Sequence, residues 1–213
     1  DHLRDWKQDL DLLKNLKSKL SPELFKELFE KSQEFSNQSL KIADNGADYK
    51  KAEISIKNKV TEPNFFQPGL SSPFNPGDPD YTVKLIRQFG NISPFLELKQ
   101  GDVVLDTGVG YAWTTEWLMK IGAQPIGVDI CRTYLEIGIK RMGERRPHLL
   151  LADIENLPLK ALSIGAVLCY NSFHHIYNRK KAIGHFYRVL KDSGNVIISE
   201  PDATHEFVQD TRR

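Results

Sequence analysis

A chain of 213 residues, 40% hydrophobic and 27% charged, has apolar material for one domain core of ordinary size, with room for an appendage. Its formal net charge of +1 gives no electrostatic ground for a nucleic-acid or anionic-membrane partner. No apolar run approaches the roughly 18 residues that a membrane helix needs. The stretch 1–20 is charged throughout, so no signal peptide is read, and a chain opening on Asp1 is expected to be trimmed or partial. Cys131 and Cys169 sit in apolar settings and read as buried thiols, which makes a reducing cytoplasm the expected location.

Residues 1–60 are predicted to be helical. Leu3, Trp6, Leu10, Leu13 and Leu20 recur at helical spacing, and Ser21-Pro22-Glu23 supplies an N-cap, a first-turn proline and an acid. A second stripe follows through Leu24, Phe25, Leu28, Phe29 and Phe35, and a shorter amphipathic segment runs to about Val60. A helical bundle packed on its neighbour is the expected role. Residues 61–80 are rich in proline and glycine, which removes backbone donors and predicts a connector without regular structure. Its Phe65, Phe66 and Phe74 offer the alternative of folding over an apolar ligand edge.

From residue 81 the pattern changes. A helix over about Tyr81–Phe89 and a turn at Ser93–Leu98 lead into apolar runs that alternate with amphipathic ones. Strands are predicted at Val103–Asp106, Pro125–Asp129, His148–Ala152, Ala166–Tyr170 and Asn195–Ser199, with helices at Ala112–Ile121, Arg132–Met142 and Arg179–Leu190. Short apolar strands without polar alternation are covered on both faces, as in parallel sheets. The expected fold is therefore α/β, a doubly wound, mostly parallel Rossmann-like sheet over residues 81–213 with a helical N-terminal region.

The first strand ends in "VVLDTGVGYAW", residues 103–113. In such sheets ligands bind at the carboxyl ends of strands, so Thr107–Ala112 is the expected ligand loop, with Gly108 and Gly110 giving close backbone approach. A dinucleotide turn, G-x-G-x-x-G, would need a third glycine where Trp113 stands, and Asp106 adds negative charge where a pyrophosphate would be repelled. That argues against a nicotinamide dehydrogenase. S-adenosylmethionine carries a sulfonium and an ammonium but no phosphate, and Asp106 is expected to receive its amino-acid end.

These residues resemble the first signature of the class I S-adenosylmethionine-dependent methyltransferases, D/E-x-G-x-G-x-G, with Ala112 at the last glycine position. The resemblance covers about residues 80–200. Asp129 ends the second strand 23 residues after Asp106, where a carboxylate accepts both hydroxyls of a ribose. The family pattern also implies Ile130 against adenine, Asp153 near the adenine amino group, a backbone amide from Ile154, and Asn171 beside the methionine part and the transferred methyl. His174 and His175 follow at the mouth of the cleft, and one of the pair is the candidate general base. No metal site is expected, because adjacent histidines project apart and no spaced acid–histidine motif completes one.

The resemblance implies methyl transfer to a small molecule; the alternative is a non-catalytic module that binds S-adenosylmethionine or a partner with the same fold. The family sheet usually closes with an antiparallel hairpin beside strand five, and "PDATHEFVQDTRR" leaves no length for one. The chain is then a fragment, or the helical leader, a partner or self-association covers that edge.

Overall fold

The computed structural model describes residues 46–58, 69–145 and 147–200. The predicted helices before residue 46, with Phe65 and Phe66, lie outside the described residues. In chain order come α1 (Gly46–Asn58), α2 (Pro79–Ile92), β1 (Val103–Thr107), α3 (Trp113–Lys120), β2 (Gln124–Asp129), α4 (Arg132–Met142), β3 (His148–Leu151), β4 (Ile164–Tyr170), α5 (Arg179–Val189) and β5 (Leu190–Ser199). Short 3-10 turns at Ser93–Leu96, Ile154–Asn156 and Phe173–His175 punctuate them.

The five strands form one parallel sheet in the order β3-β2-β1-β4-β5, the doubly wound α/β architecture expected from the alternating pattern. The strand order reverses beside β1, and a crevice opens there. Asp106 stands opposite Gly127 on β2 and Leu168 on β4, so the three central strands finish almost level. Among the described residues, β3 and β5 are the edges.

Both faces of the sheet are apolar because neighbouring strand residues point to opposite sides. Leu105, Val167, Cys169 and Ile198 pack with Ala182, Ile183, Phe186 and Val189 of α5. On the other face Val104, Leu168 and Ile197 pack with Leu85 and Phe89 of α2 and with Trp113 and Leu118 of α3. Trp113 therefore works as core: its ring lies 5.6 Å from Phe89 and 5.3 Å from Tyr170. Both cysteines are buried and unbridged.

Element ends follow local chemistry. Asp78 caps α2 by accepting from the Tyr81 amide at 2.9 Å, and Pro79 takes the first turn, so the helix starts before the predicted Tyr81. Asn178 caps α5 through the Lys181 amide, and Gly143, at φ 58°, ends α4. β5 begins five residues before the predicted Asn195. Leu190 pairs with Ile164 and Asn195 with Ala166, so the residues between loop out of register.

The described part of the connector is anchored, not loose. Arg141 donates to the Gly69 and Leu70 carbonyls at 3.2 and 2.9 Å while its Nε pairs with Glu116 at 2.8 Å. Phe74 stays 53% exposed and lies outside the lining of the strand-end crevice. No helix among the described residues is long and apolar enough to cross a membrane.

Phe186 is 1% exposed and joins α5 to the sheet. Phe186→Ala is expected to lower unfolding free energy by roughly 3–5 kcal/mol, read from urea denaturation.

Candidate functional site

The carboxyl ends of β1, β2 and β4, with the turn after β3, open into a cavity of about 300 Å³. Gly108 and Gly110 line it from the first turn, Asp129 and Ile130 from the second, Asp153 and Ile154 from the third, and Asn171 from the fourth. His175 and Tyr177 add the wall beyond β4. The opposite wall is α1, which contributes Tyr49, Lys50, Glu53 and Lys57.

The glycine turn is held rigidly. The amides of Gly108 and Val109 both donate to the Val128 carbonyl, at 2.8 and 3.2 Å. Gly108 has φ +64°, and a Cβ there would lie 2.4 Å from the Cβ of Ser172. Only a hydrogen atom fits between these loops, and the same crowding keeps the backbone open to the cavity. Gly110 has φ +53°, and Ala112 accepts φ 59° although it carries a methyl group. That methyl packs on α4, where a Cβ on Gly138 would come within 3.0 Å of it.

Asp129, 2% exposed, joins two loops. One carboxylate oxygen accepts from the Gly110 amide at 2.9 Å and the other from the Cys131 amide at 2.8 Å. A carboxylate offers about four lone-pair sites, so each oxygen keeps one for a ligand hydroxyl.

Asp106 is used differently from expectation. It is 1% exposed and does not line the cavity; one oxygen accepts from the hydroxyls of Thr114 and Thr115, at 2.8 and 2.7 Å. The carboxylate pins the first turn of α3 from below, outside the cavity lining. The D-x-G-x-G pattern specifies the residue without specifying its side-chain direction, which the threonines of α3 decide.

Asp153 lines the cavity with both oxygens engaged. One accepts from the Glu155 amide at 2.9 Å, and the other pairs with Lys50 Nζ at 2.7 Å. Lys50 pairs equally closely with Glu155, whose other oxygen takes the Asn178 amide at 2.8 Å. Burial works against the Lys50 ammonium, but the two carboxylates outweigh it and hold its pKa above the ordinary value. Asn171, at φ 49°, accepts from the Gln88 side chain at 3.2 Å, and Gln88 also reaches Ser199 and Tyr170.

The two histidines separate. His175 lines the cavity, its Nδ1 lying 3.4 Å from a Glu53 carboxylate oxygen. His174 lies against His175 with ring centroids 4.0 Å apart and the rings tilted by 42°, but it does not line the cavity, its Nδ1 being paired closely with Glu200. Glu200 also accepts from the amides of Ser172, Phe173 and His174, at 2.9, 2.6 and 3.2 Å. Arg179 reaches the carbonyl of His174 at 3.2 Å. Carboxylate and guanidinium thus hold the His-His turn from both ends.

Of the aromatic residues near the strand ends, Trp113 is core, Tyr81 is 45% exposed, and Tyr111 backs the wall by packing on Tyr134 at 4.8 Å. Tyr49 faces the cavity with its phenol pushed up to about 12, first by burial and then by Glu53, so it enters as a hydroxyl donor. The sequence reading missed Lys50, Glu53, Gln88, Glu155 and Glu200. The acid and lysine pattern of 46–58 marked an amphipathic helix, and nothing local marked its partner.

Comparison with known proteins bears on the domain as a whole. Residues 105–198 match the family described as "Methyltransferase domain". A phosphoethanolamine N-methyltransferase 2 of Caenorhabditis elegans is 26% identical over 129 residues, 59% of this chain and 28% of that protein. An O-methyltransferase of Penicillium expansum is 27% identical over 128 residues, 57% of this chain and 45% of that protein. The chain spans less than half the length of these relatives. A solved structure of Haemonchus contortus phosphoethanolamine N-methyltransferase 2, in complex with phosphomonomethylethanolamine and S-adenosylhomocysteine, superposes with a TM-score of 0.51 at 22% identity. It covers 60% of this chain and 32% of that one, and the likeness concerns the fold.

Burial pushes the Asp106 carboxyl up to about 6 despite the two threonine hydroxyls, from an ordinary value of 3.8. A carboxyl raised on folding favours the native state most at low pH, and that contribution is lost as pH climbs through the folded value. Asp106→Asn keeps an oxygen for the threonines and carries no charge. Its stability relative to the parent is expected to rise by about 2–3 kcal/mol from pH ~4 to pH ~7.5, measured by urea denaturation at both.

Proposed function

We propose that the chain, whose residues 105–198 match the family described as a methyltransferase domain, binds S-adenosyl-L-methionine at the strand ends and transfers the methyl group to a small molecule. One observation carries this reading. The Gly108/Gly110 turn, the Asp129-Ile130 and Asp153-Ile154 pairs and Asn171, from four successive strand ends, all line one cavity.

The residues fit the cofactor. The lone pairs that Asp129 retains suit the two hydroxyls of a ribose, and the paired amides already fix the carboxylate's direction. Ile130 and Ile154 supply apolar flanks for a flat base. Asp153 offers an acceptor at the same end, where Lys50 now sits, so ligand and lysine share that carboxylate. The opened backbone at Gly108 and Gly110, with Asn171, forms the other end, where a charged amino-acid group finds polar atoms at close approach. Asp106 supports this end through α3 without touching it.

When bound, the cofactor supplies a methyl group that is already electrophilic, which leaves the protein to orient an acceptor and keep water away. The α1 wall serves the second task by closing the cavity opposite the sheet. A volume of about 300 Å³ and a net charge of +1 favour a small acceptor over a polyanion. The relatives named above carry N- and O-methyltransferase names, so their likeness does not choose the acceptor atom.

Calorimetric titration with S-adenosyl-L-methionine and with NAD tests the reading. Binding of the first and not the second is expected; the reverse would overturn it. Asp129→Asn should weaken cofactor binding by roughly 1.5–3 kcal/mol through loss of a charged acceptor. Separately, Gly108→Ala is expected to abolish measurable binding while the far-ultraviolet circular dichroism keeps its α/β signature, because its methyl would collide with Ser172.

A further inference from the structure

Resting on the reading that Asp153 receives the amino group of the cofactor's adenine, we propose that Lys50 competes with the ligand for that carboxylate and that Glu155 is the second seat onto which the lysine yields. The pair sets how tightly the base is held and keeps α1 over the cavity while the site is filled.

Both carboxylates belong to the 3-10 turn after β3 and are engaged alike. Asp153 gives one oxygen to the Glu155 amide at 2.9 Å, and Glu155 gives one to the Asn178 amide at 2.8 Å. Each gives its other oxygen to the same Lys50 ammonium, at 2.7 Å in both cases. The backbone around them is tied down as well. The Asn156 amide donates to the Asp153 carbonyl at 2.8 Å, and Arg188 reaches the carbonyls of Leu157 and Leu159 at 2.7 and 2.6 Å. The carboxylates are therefore fixed, and the lysine, on its flexible stem, is the part that moves between them.

The two seats differ in burial. The Asp153 side chain is 32% exposed, whereas that of Glu155 is 6% exposed. An ion pair open to water is worth little, while a buried carboxylate that loses its cation is left with a costly uncompensated charge. The amino group of a base is a neutral donor. It can take the place of the ammonium on Asp153, but it brings no charge to Glu155. Lys50 accordingly cedes the exposed carboxylate and keeps the buried one, and because it reaches both from α1, the helix stays in place. Burial works against the ammonium, but its bonds to Asp153 and Glu155 hold its pKa above the ordinary value, so the competitor is charged.

A double-mutant cycle read by calorimetric titration with S-adenosyl-L-methionine at fixed ionic strength tests this. Glu155→Gln keeps an oxygen for the Asn178 amide and removes the second seat, leaving Lys50 on Asp153 alone; its affinity is expected to fall about fivefold. Lys50→Met is expected to bind about threefold more tightly than the parent, and the double variant to match Lys50→Met within about twofold. A merely structural Glu155 would weaken binding with or without the lysine, so an equal loss in both backgrounds overturns the proposal, as does weaker binding by Lys50→Met. In the free protein, hydrogen exchange of the α1 amides is expected to quicken in Lys50→Met; unchanged exchange would remove the anchoring role and overturn the proposal. In the parent saturated with ligand, the same amides are expected to exchange no faster than in the free protein, and faster exchange would show the lysine released from both seats, which also overturns it. Titration of the parent separates the two failures: no binding removes the cofactor reading, whereas binding with an additive cycle removes only the role given to Lys50 and Glu155.

Discussion

The Asp129 carboxylate is the point on which the arrangement of the strand ends depends. Its two oxygens hold an amide from the β1 loop and an amide from the β2 loop, at 2.9 and 2.8 Å. Gly110 sits at a positive φ, and this bond fixes which way its N–H points. Cys131 opens α4 without a side-chain cap of its own, so the same carboxylate stands in for one. A single buried charge thereby sets the spacing between the two loops that face the cavity, and two backbone donors balance it.

The second wall is built on a different principle. α1 is not part of the sheet layers, and its hold on the cavity is electrostatic. Lys50 lies between Asp153 and Glu155, Glu53 faces His175, and Lys57 sits 5.7 Å from the ring centre of Tyr134. Tyr49 adds a tilted ring contact with Tyr177 at 5.6 Å. Ion pairs that are partly solvent-exposed are weak individually and sensitive to salt. The floor of the site is thus rigid while its cover is held by interactions that a ligand can replace.

The fold was legible because it rests on runs of residues. Val103 to Leu105 is an apolar run without polar alternation, and a covered parallel strand accounts for that. The glycine turn was legible because Gly108 and Gly110 have a backbone reason to be glycine. Asp129, Asp153 and Asn171 could be found because strand ends point at the crevice in this architecture. The side-chain direction of Asp106 was not legible from the pattern, because it depends on Thr114 and Thr115. Partners across the chain were illegible for a related reason. Lys50 and Asp153 are 103 residues apart, Gln88 and Ser199 are 111 apart, and no periodicity in one segment announces a contact with another.

Glu200 ties the outermost described strand to the turn that carries the histidines. Its side chain is 1% exposed and takes three consecutive amides at 2.6–3.2 Å. A strand advances about 3.3 Å per residue, so sliding β5 by one position would carry the carboxylate out of reach of all three. The looped residues between Leu190 and Asn195 absorb the offset that lets Ser199 and Glu200 arrive in phase. The sheet's rim therefore acts as an alignment gauge for the turn that carries the two histidines: whatever secures that rim also sets where the His174 ring points.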